Sequence, residues 1–234
     1  MRLNKYLALC GIGSRRGVEE IIVSGKVAIN GEVVVDLGRR VVEGDVVTLE
    51  GKPVKTPQQY TVVALNKPPG CLSTRTDPEG RETVYHWLPP AYKSLRNVGR
   101  LDLQSRGLLL FTDDGDLAFR LTHPSYEIPR TYLVWTDRPI GPEGRSDLLQ
   151  GVDLGEGEIG VAKSVKLDAE KAEITLMEGK NREIRRMMQA IGRRVRDLKR
   201  TDFGPVTLGE LASGDFRVLS EDEVRALYHS VDLV

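Results

Sequence analysis

Leu3, Tyr6, Leu7 and Cys10 follow the i, i+3, i+4, i+7 spacing of an amphipathic helix, and Gly11 ends it. Ser14 can N-cap a second helix whose buried stripe is Val18, Ile21 and Ile22 and whose stop is Gly25. The period then changes to two. Val27-Ala28-Ile29 and Val33-Val34-Val35 flank Asn30-Gly31, a pair that accepts the positive φ angles of a tight primed turn, so the pattern predicts a hairpin. Val41-Val42 and the run 46–49 supply further strand.

Around residues 51–59 the apolar pattern lapses into Gly, Lys, Pro and Gln, the composition of a linker. The expected organisation is a module over 1–51, a linker over 52–59 and a domain over 60–234. In the domain, strands are predicted at 60–65, 108–112, 131–135, 173–177 and 195–198. Helices are predicted at 116–121, 143–150, 182–191 and 220–228, the last opened by the capping box Ser220-x-x-Glu223. Strands do not alternate strictly with helices. The expected class is therefore α+β, a small N-terminal α/β module followed by a mixed, mostly antiparallel sheet with flanking helices.

Composition narrows the class. Of 234 residues, 40% are hydrophobic and 29% charged, which excludes wholesale disorder. No apolar run is long enough to span a bilayer, and the start lacks a cleavage site for a signal peptide. Cys10 and Cys71 have no CxxC spacing. They fit a reducing cytoplasm with neither a disulfide framework nor a zinc site. His86, His123 and His229 have no mutual metal spacing, and no nucleotide-binding glycine motif is present.

Lys and Arg number 34, as do Asp and Glu, so the formal net charge is zero. The distribution is uneven. Residues 180–200 hold nine bases and two acids, a net of +7, while 140–178 carry a net of −5 and 207–234 a net of −4. A local basic face is thus expected to recognise an anionic partner, with the acids lying elsewhere and limiting indiscriminate binding.

Some residues in these patterns can carry chemistry. Arg15 and Arg16 fall in the first turn of the second helix, where cations oppose the helix dipole and a phosphate would suit them. With Lys26 they point to an RNA-binding module; solvated surface charge is the plainer alternative. On the helix at 182–191, Ile184, Met187, Met188 and Ile191 share an apolar sector. Arg182, Arg185, Arg186 and Gln189 face the other way, and Arg185, at the edge of the apolar sector near Met188, is placed to enter a cleft. Three arginines plus Lys180 favour phosphate contact. Asp102, between Arg100 and Arg106 in a Gly-rich loop before an apolar strand, suits a nucleophile or base. By spacing alone a turn-capping Asp fits as well. Asp113 and Asp114 read as a turn and helix N-cap. Tyr132 alternates with apolar neighbours, a cross-strand aromatic or a platform for an unstacked base.

Asn66-Lys67-Pro68-Pro69-Gly70, Gly99-Arg100-Leu101-Asp102, Arg130-Thr131-Tyr132 and the run from Glu178 to Met187 occur together, in the order found in ribosomal-RNA pseudouridine synthases of the RsuA type, a family this chain resembles. The first fifty residues resemble the RNA-binding module named after ribosomal protein S-four. The resemblance implies isomerisation of a chosen uridine to pseudouridine, without metal or organic cofactor, by a monomer acting on ribosomal RNA or an assembly intermediate. Arg-Glu-Ile-Arg-Arg-Met leans toward the large-subunit members. By the same resemblance Asp102 is the catalytic aspartate, Tyr132 stacks on the flipped base and Arg185 pairs with the aspartate. Lys67, Arg100, Arg106, Arg130 and Ile184 would surround the substrate, and Arg15, Arg16, Lys26, Lys180, Arg182 and Arg186 would meet the RNA. Ser105 stands where the family often has Thr, which keeps the hydroxyl. Two alternatives remain at this point: a non-catalytic RNA-binding or ribosome-assembly protein, and a hydrolase using the acidic turn.

Overall fold

The computed structural model describes residues 1–42, 44–55 and 60–233, which fall into two compact units, Met1–Tyr60 and Thr61–Val234. In the first, α1 (Leu3–Leu9) and α2 (Gly17–Val23) bury Leu3, Leu7, Val18 and Ile22 against a small antiparallel sheet. That sheet runs β2 (Glu32–Val33), β1 (Val27–Ile29), β3 (Val47–Leu49), β4 (Lys52–Pro53). Asn30 and Gly31 both take positive φ, 53° and 86°, so the hairpin has the primed turn its sequence requires. The second helix begins later than the spacing suggests. Arg16 is its N-cap and Ser14 Oγ accepts the Gly17 N–H at 3.0 Å, so Arg15 and Arg16 precede α2 instead of opening it. Lys52 and Pro53, assigned above to the linker, pair with Leu49 and Thr48. Pro53 is tolerated because β4 is an edge strand, where a missing N–H costs little. The rest of that segment, 56–59, lies outside the described residues.

The second unit is built on a nine-stranded mixed sheet. Its central path is β11 (Ser164–Leu167), β12 (Ala172–Leu176), β8 (Arg130–Thr136), β13 (Val195–Phe203), β7 (Arg106–Thr112), β5 (Val62–Lys67) and β15 (Phe216–Val218). β6 (Arg96–Val98) pairs with β7, β14 (Val206–Thr207) with β13, and β9 (Val152–Gly155) with β10 (Glu158–Gly160) in a separate ribbon. Every described pairing in the nine-stranded sheet is antiparallel except β13 with β7. The expected α+β architecture is observed.

The apolar run in β7 is continuous because both faces are covered. Leu108 and Leu110 pack with α3 (Gly115–Thr122) and α6 (Glu221–His229). Leu109 and Phe111 pack with Val84, Tyr85 and Leu95 on the other side. A third cluster joins β8, β12 and α4 (Pro142–Gln150) to Ile184, Met187 and Met188 of α5 (Glu183–Ala190). Unlike the Ser14 cap, the two caps read from sequence in this unit are present. Asp114 accepts from the Asp116 and Leu117 amides, and Ser220 and Glu223 form a reciprocal capping box.

The parallel junction of β7 and β13 depends on one residue. Gly107 takes φ 104°, and a Cβ there would collide with the Arg200 carbonyl and lie 2.7 Å from its amide nitrogen. Only a glycine lets the two backbones meet at this point.

Candidate active site

The Asp102 turn links β6 to β7 and is gripped on both sides. Upstream, Ser73 Oγ donates to the Leu101 carbonyl at 2.8 Å and accepts the Leu101 N–H at 3.1 Å. Downstream, the Gly70 N–H donates to the Leu103 carbonyl at 2.8 Å. Lys67 Nζ donates to the carbonyls of Pro68, Leu103 and Ser105 at 3.0, 3.2 and 2.8 Å. The Asn66-Lys67-Pro68-Pro69-Gly70 segment is therefore a clamp on the Asp102 loop. Lys67 is completely buried, and burial holds its amine below the ordinary lysine range against the opposing pull of Cys71 and Asp102. This corrects the reading of Lys67 as a substrate-contacting residue: all three of its donors serve loop carbonyls, and it does not line the cavity.

Arg185 comes from the first turn of α5. Ile184 turns into the core, and Arg185, one residue on, emerges at the edge of that stripe as the helical spacing predicts. Its Nε lies 3.7 Å from Asp102 Oδ2, and its Nη2 donates to Ser105 Oγ at 3.5 Å. The ion pair is loose, and Nε is buried without a hydrogen-bond partner. Burial and the neighbouring Arg182 draw the Arg185 pKa down, while Asp102 and Asp197 oppose them.

Asp102 and Arg185 share a cavity of ≈ 130 Å³ with Tyr132, Arg100, Ile184 and Ser105. Tyr132 is half-buried on β8, with Ile174 and Arg200 as its cross-strand neighbours. Lys180, Arg182 and Arg130 line the same cavity, Arg182 in the left-handed region at φ 48°. The cavity thus sets two carboxylates, Asp102 and Glu183, among a surplus of cations, with an apolar and an aromatic wall. That combination suits an anionic substrate carrying a flat, neutral ring.

Three further expectations need correction. Arg106 does not face Asp102. Its guanidinium grips Asp197 through both oxygens, the shortest contact being 2.6 Å, and lies 5.3 Å from the Trp135 ring centre. Burial raises the Asp197 carboxyl, but the Arg106 hydrogen bonds and charge outweigh that and hold it below its usual range. Arg186 is likewise engaged, with Glu158 at 2.6 Å and the Leu154 carbonyl at 2.9 Å. It is absent from the cavity lining. The acidic segment is not kept apart from the basic block either, because Glu158 and Glu178 reach Arg186 and Lys180. Much of the +7 charge therefore ties secondary elements together.

In the N-terminal unit, Arg15 and Arg16 are exposed, and Lys26 forms an exposed pair with Glu50 at 2.8 Å. Two site residues were not foreseen. Glu183 is buried in the lining and accepts the Lys180 N–H at 3.0 Å; burial raises its carboxyl more than Lys180 lowers it. Arg200, hidden in a strand, lines the cavity from below. The sequence shows it only as one more base of the 180–200 block, just past the predicted strand 195–198.

Residues 61–190 match the family model for RNA pseudouridylate synthase, and residues 1–47 match the S4 domain. An uncharacterized RNA pseudouridine synthase of Aquifex aeolicus is 37% identical over 100% of this chain and 96% of its own length. A protein of Bacillus subtilis named ribosomal large subunit pseudouridine synthase B is 38% identical over 97% of this chain and 95% of its own. A crystal structure of a pseudouridylate synthase superposes with TM-score 0.70 at 31% identity, covering 97% of this chain and 99% of that one. The chain belongs to the RNA pseudouridine synthase family, isomerases of uridine in RNA, and carries an S4 domain in front.

Proposed function

We propose that this chain converts a uridine of large-subunit ribosomal RNA to pseudouridine, with Asp102 as the catalytic carboxylate. The observation that supports the assignment is the meeting of Asp102 and Arg185, distant in sequence, in the cavity that also holds Tyr132. The substrate class comes from the relative named for the large subunit.

The reaction breaks the N1–C1′ bond and makes a C5–C1′ bond within one nucleoside. The C5 proton leaves and N1 gains one, so no net oxidation or hydrolysis occurs. The exchange needs no metal or organic cofactor on that account. The uridine must first leave its stack, at a cost of about a few kcal/mol. Phosphate contacts from Lys180, Arg182 and Arg100, with Arg15, Arg16 and Lys26 of the S4 domain, offset that cost. In the cavity Tyr132 stacks on the base and Ile184 walls it. Asp102 acts as nucleophile or base, held by Arg185 on one side and by the Lys67 and Ser73 contacts to its loop on the other. We read the enzyme as a monomer working in the cytoplasm on ribosomal RNA or an assembly intermediate. The N-terminal domain limit in this proposal moves from 51 to 54, because Lys52 and Pro53 join its sheet and Val54 its core, while the second domain keeps 60–234.

The test is Asp102→Asn. Mapping of carbodiimide-resistant uridine adducts on large-subunit RNA from a deletion strain identifies the target. The variant should lose isomerisation of that uridine by roughly 10³-fold or more while RNA affinity stays within about twofold. Pseudouridine formed at the normal rate would overturn the role of Asp102, and an unchanged RNA map in the deletion strain would overturn the substrate class.

A further inference from the structure

Two guanidinium groups on the floor of the cavity form no close ion pair among the described residues, although the buried Glu183 carboxylate acts on Arg130 from further away. Arg130 is 7% exposed and Arg200 2%, and both line the cavity. Arg130 Nη2 donates to the Leu121 carbonyl at 3.0 Å, and Arg200 Nε donates to the Leu108 carbonyl at 2.7 Å. Each lies with its Cζ 5.0 Å from the centre of the Phe203 ring. These direct partners offer partial charge only, so the deficit is greatest at Arg200, which Glu183 is not seen to compensate. Among the described residues neither arginine forms an ion pair, and Arg200 Nη2 is buried with no hydrogen-bond partner at all.

Such an arrangement is costly unless an anion completes it, because an uncompensated buried charge is worth several kcal/mol of penalty. The fold nonetheless takes pains to set Arg200 there. Gly107 admits the Arg200 backbone against β7, and an irregularity between Arg200 and Asp202, opposite Tyr132 and Thr131, adjusts the strand at this residue. Gly179 on the cavity lining adds no side chain over Arg130. A Cβ at Gly179 would sit 3.6 Å from the Arg130 Cζ and Nη1, and there is none. Uracil is neutral and cannot supply the missing charge. The anion within an RNA substrate is its phosphodiester, whose geometry suits a planar guanidinium fork.

We propose that Arg200, supported by Arg130, binds one backbone phosphate of the RNA strand beside the target uridine, on the floor of the cavity. This rests on the reading that the uridine enters this cavity. Arg200 is then a substrate-binding residue that fixes the flipped nucleotide by its backbone, while Tyr132 and Ile184 hold its base.

The experiment is a binding cycle on a hairpin RNA containing the mapped uridine. A series of such RNAs carries a single methylphosphonate, uncharged, at each position within three nucleotides of the uridine. Affinities are measured for the wild type, Arg200→Gln and Arg200→Lys. On unmodified RNA, Arg200→Gln should bind roughly 10- to 100-fold more weakly, with Arg200→Lys intermediate. One methylphosphonate should weaken the wild type by a similar factor and leave Arg200→Gln unchanged. Additive losses at every position, or wild-type affinity in Arg200→Gln, overturn the assignment. Should Arg200→Gln fail to fold, Gly179→Val serves in its place, since it keeps both arginines and lays a side chain against Arg130. It should shrink the penalty at that same phosphate, and an unchanged penalty overturns the proposal. Isomerisation by the wild type is scored on the same hairpin. If it is absent, the reading of the cavity fails; if it is present without coupling, only the phosphate site fails.

Discussion

Arg15 and Arg16 stand in solvent ahead of a seven-residue helix, with no hydrogen bond or ion pair from either side chain among the described residues. Arg130, Arg200 and Lys67 are cations of the same formal charge, yet each is buried, and each is tied to backbone carbonyls. Position decides what a charge can do. In solvent a cation keeps its hydration and offers long-range, salt-screened attraction. In the interior it has surrendered hydration, so its placement must be enforced by the surrounding fold, and its free donors define where an anion or a carbonyl has to be. The exposed pair is suited to gathering RNA. The buried group is suited to fixing one nucleotide and one loop.

The strongest way to break the comparison is to dislodge the buried set without touching a charge. Gly107→Ala places a Cβ against the Arg200 backbone at a residue held at φ 104°. Either the β7–β13 junction opens or Arg200 moves. The expected loss is about 3–5 kcal/mol, a fall in Tm of roughly 10 °C, read by calorimetry. A variant as stable as the wild type would show that this junction does not hold Arg200 in place.

Lys67→Met is expected to come next. It leaves the Leu103 and Ser105 carbonyls without their buried donor, at about 2–4 kcal/mol, and loosens the loop that bears Asp102. Turnover should therefore fall well beyond any loss in RNA affinity, measured by single-turnover isomerisation beside a binding titration. Equal losses in both would return Lys67 to the substrate-contacting role that its motif suggests.

These two residues also show where the sequence was legible. Periodicity found the helices and the long strands, because amphipathic stripes such as Ile184, Met187 and Met188 or the run 108–112 leave a local signature. The same stripe put Arg185 at the edge of the apolar sector, where it meets Asp102. The RNA-isomerase class was legible through four motifs. What was hidden is non-local. Nothing near Lys67 says that two of its three acceptors lie on a distant loop, and nothing near Arg106 announces Asp197. Arg200 looked like one more member of a basic block, since its burial follows from a parallel pairing with Gly107 that only the assembled sheet creates. Short edge strands such as β14 and β15 carry too few residues for a period to appear.

The exposed set is probed by replacing Arg15 and Arg16 with Ala together. Tm should not move measurably, since neither side chain holds other residues in place. RNA affinity should fall, and the slope of log affinity against log salt should shrink by about 1.4 on single-stranded RNA, two phosphates at ~0.7 each. Turnover of saturated enzyme should be unchanged. An unaltered salt slope would mean that these arginines contact no phosphate, and the contrast drawn above would lose its exposed half.

The smallest effect concerns a pair between the two extremes. Arg217 donates to both oxygens of Glu223 at 2.8 and 2.7 Å, and Glu223 also closes the capping box of α6. The Arg217 hydrogen bonds hold the Glu223 carboxyl at about 2, against 4.5 for a free glutamate. A depressed folded-state value means the unfolded chain binds the proton first. The contribution to stability is thus complete above pH 4.5 and is lost as pH falls toward 2. Both side chains are about a third exposed, so solvent screening keeps the effect under roughly 1 kcal/mol. Arg217→Met should accordingly lower Tm slightly at pH 7 and flatten the part of the acid unfolding curve between pH 4.5 and 2 that this carboxyl supplies. If the curve keeps its full slope there, acid sensitivity resides in other carboxylates. The pair would then behave like the solvated arginines of the S4 domain, as charge that positions nothing.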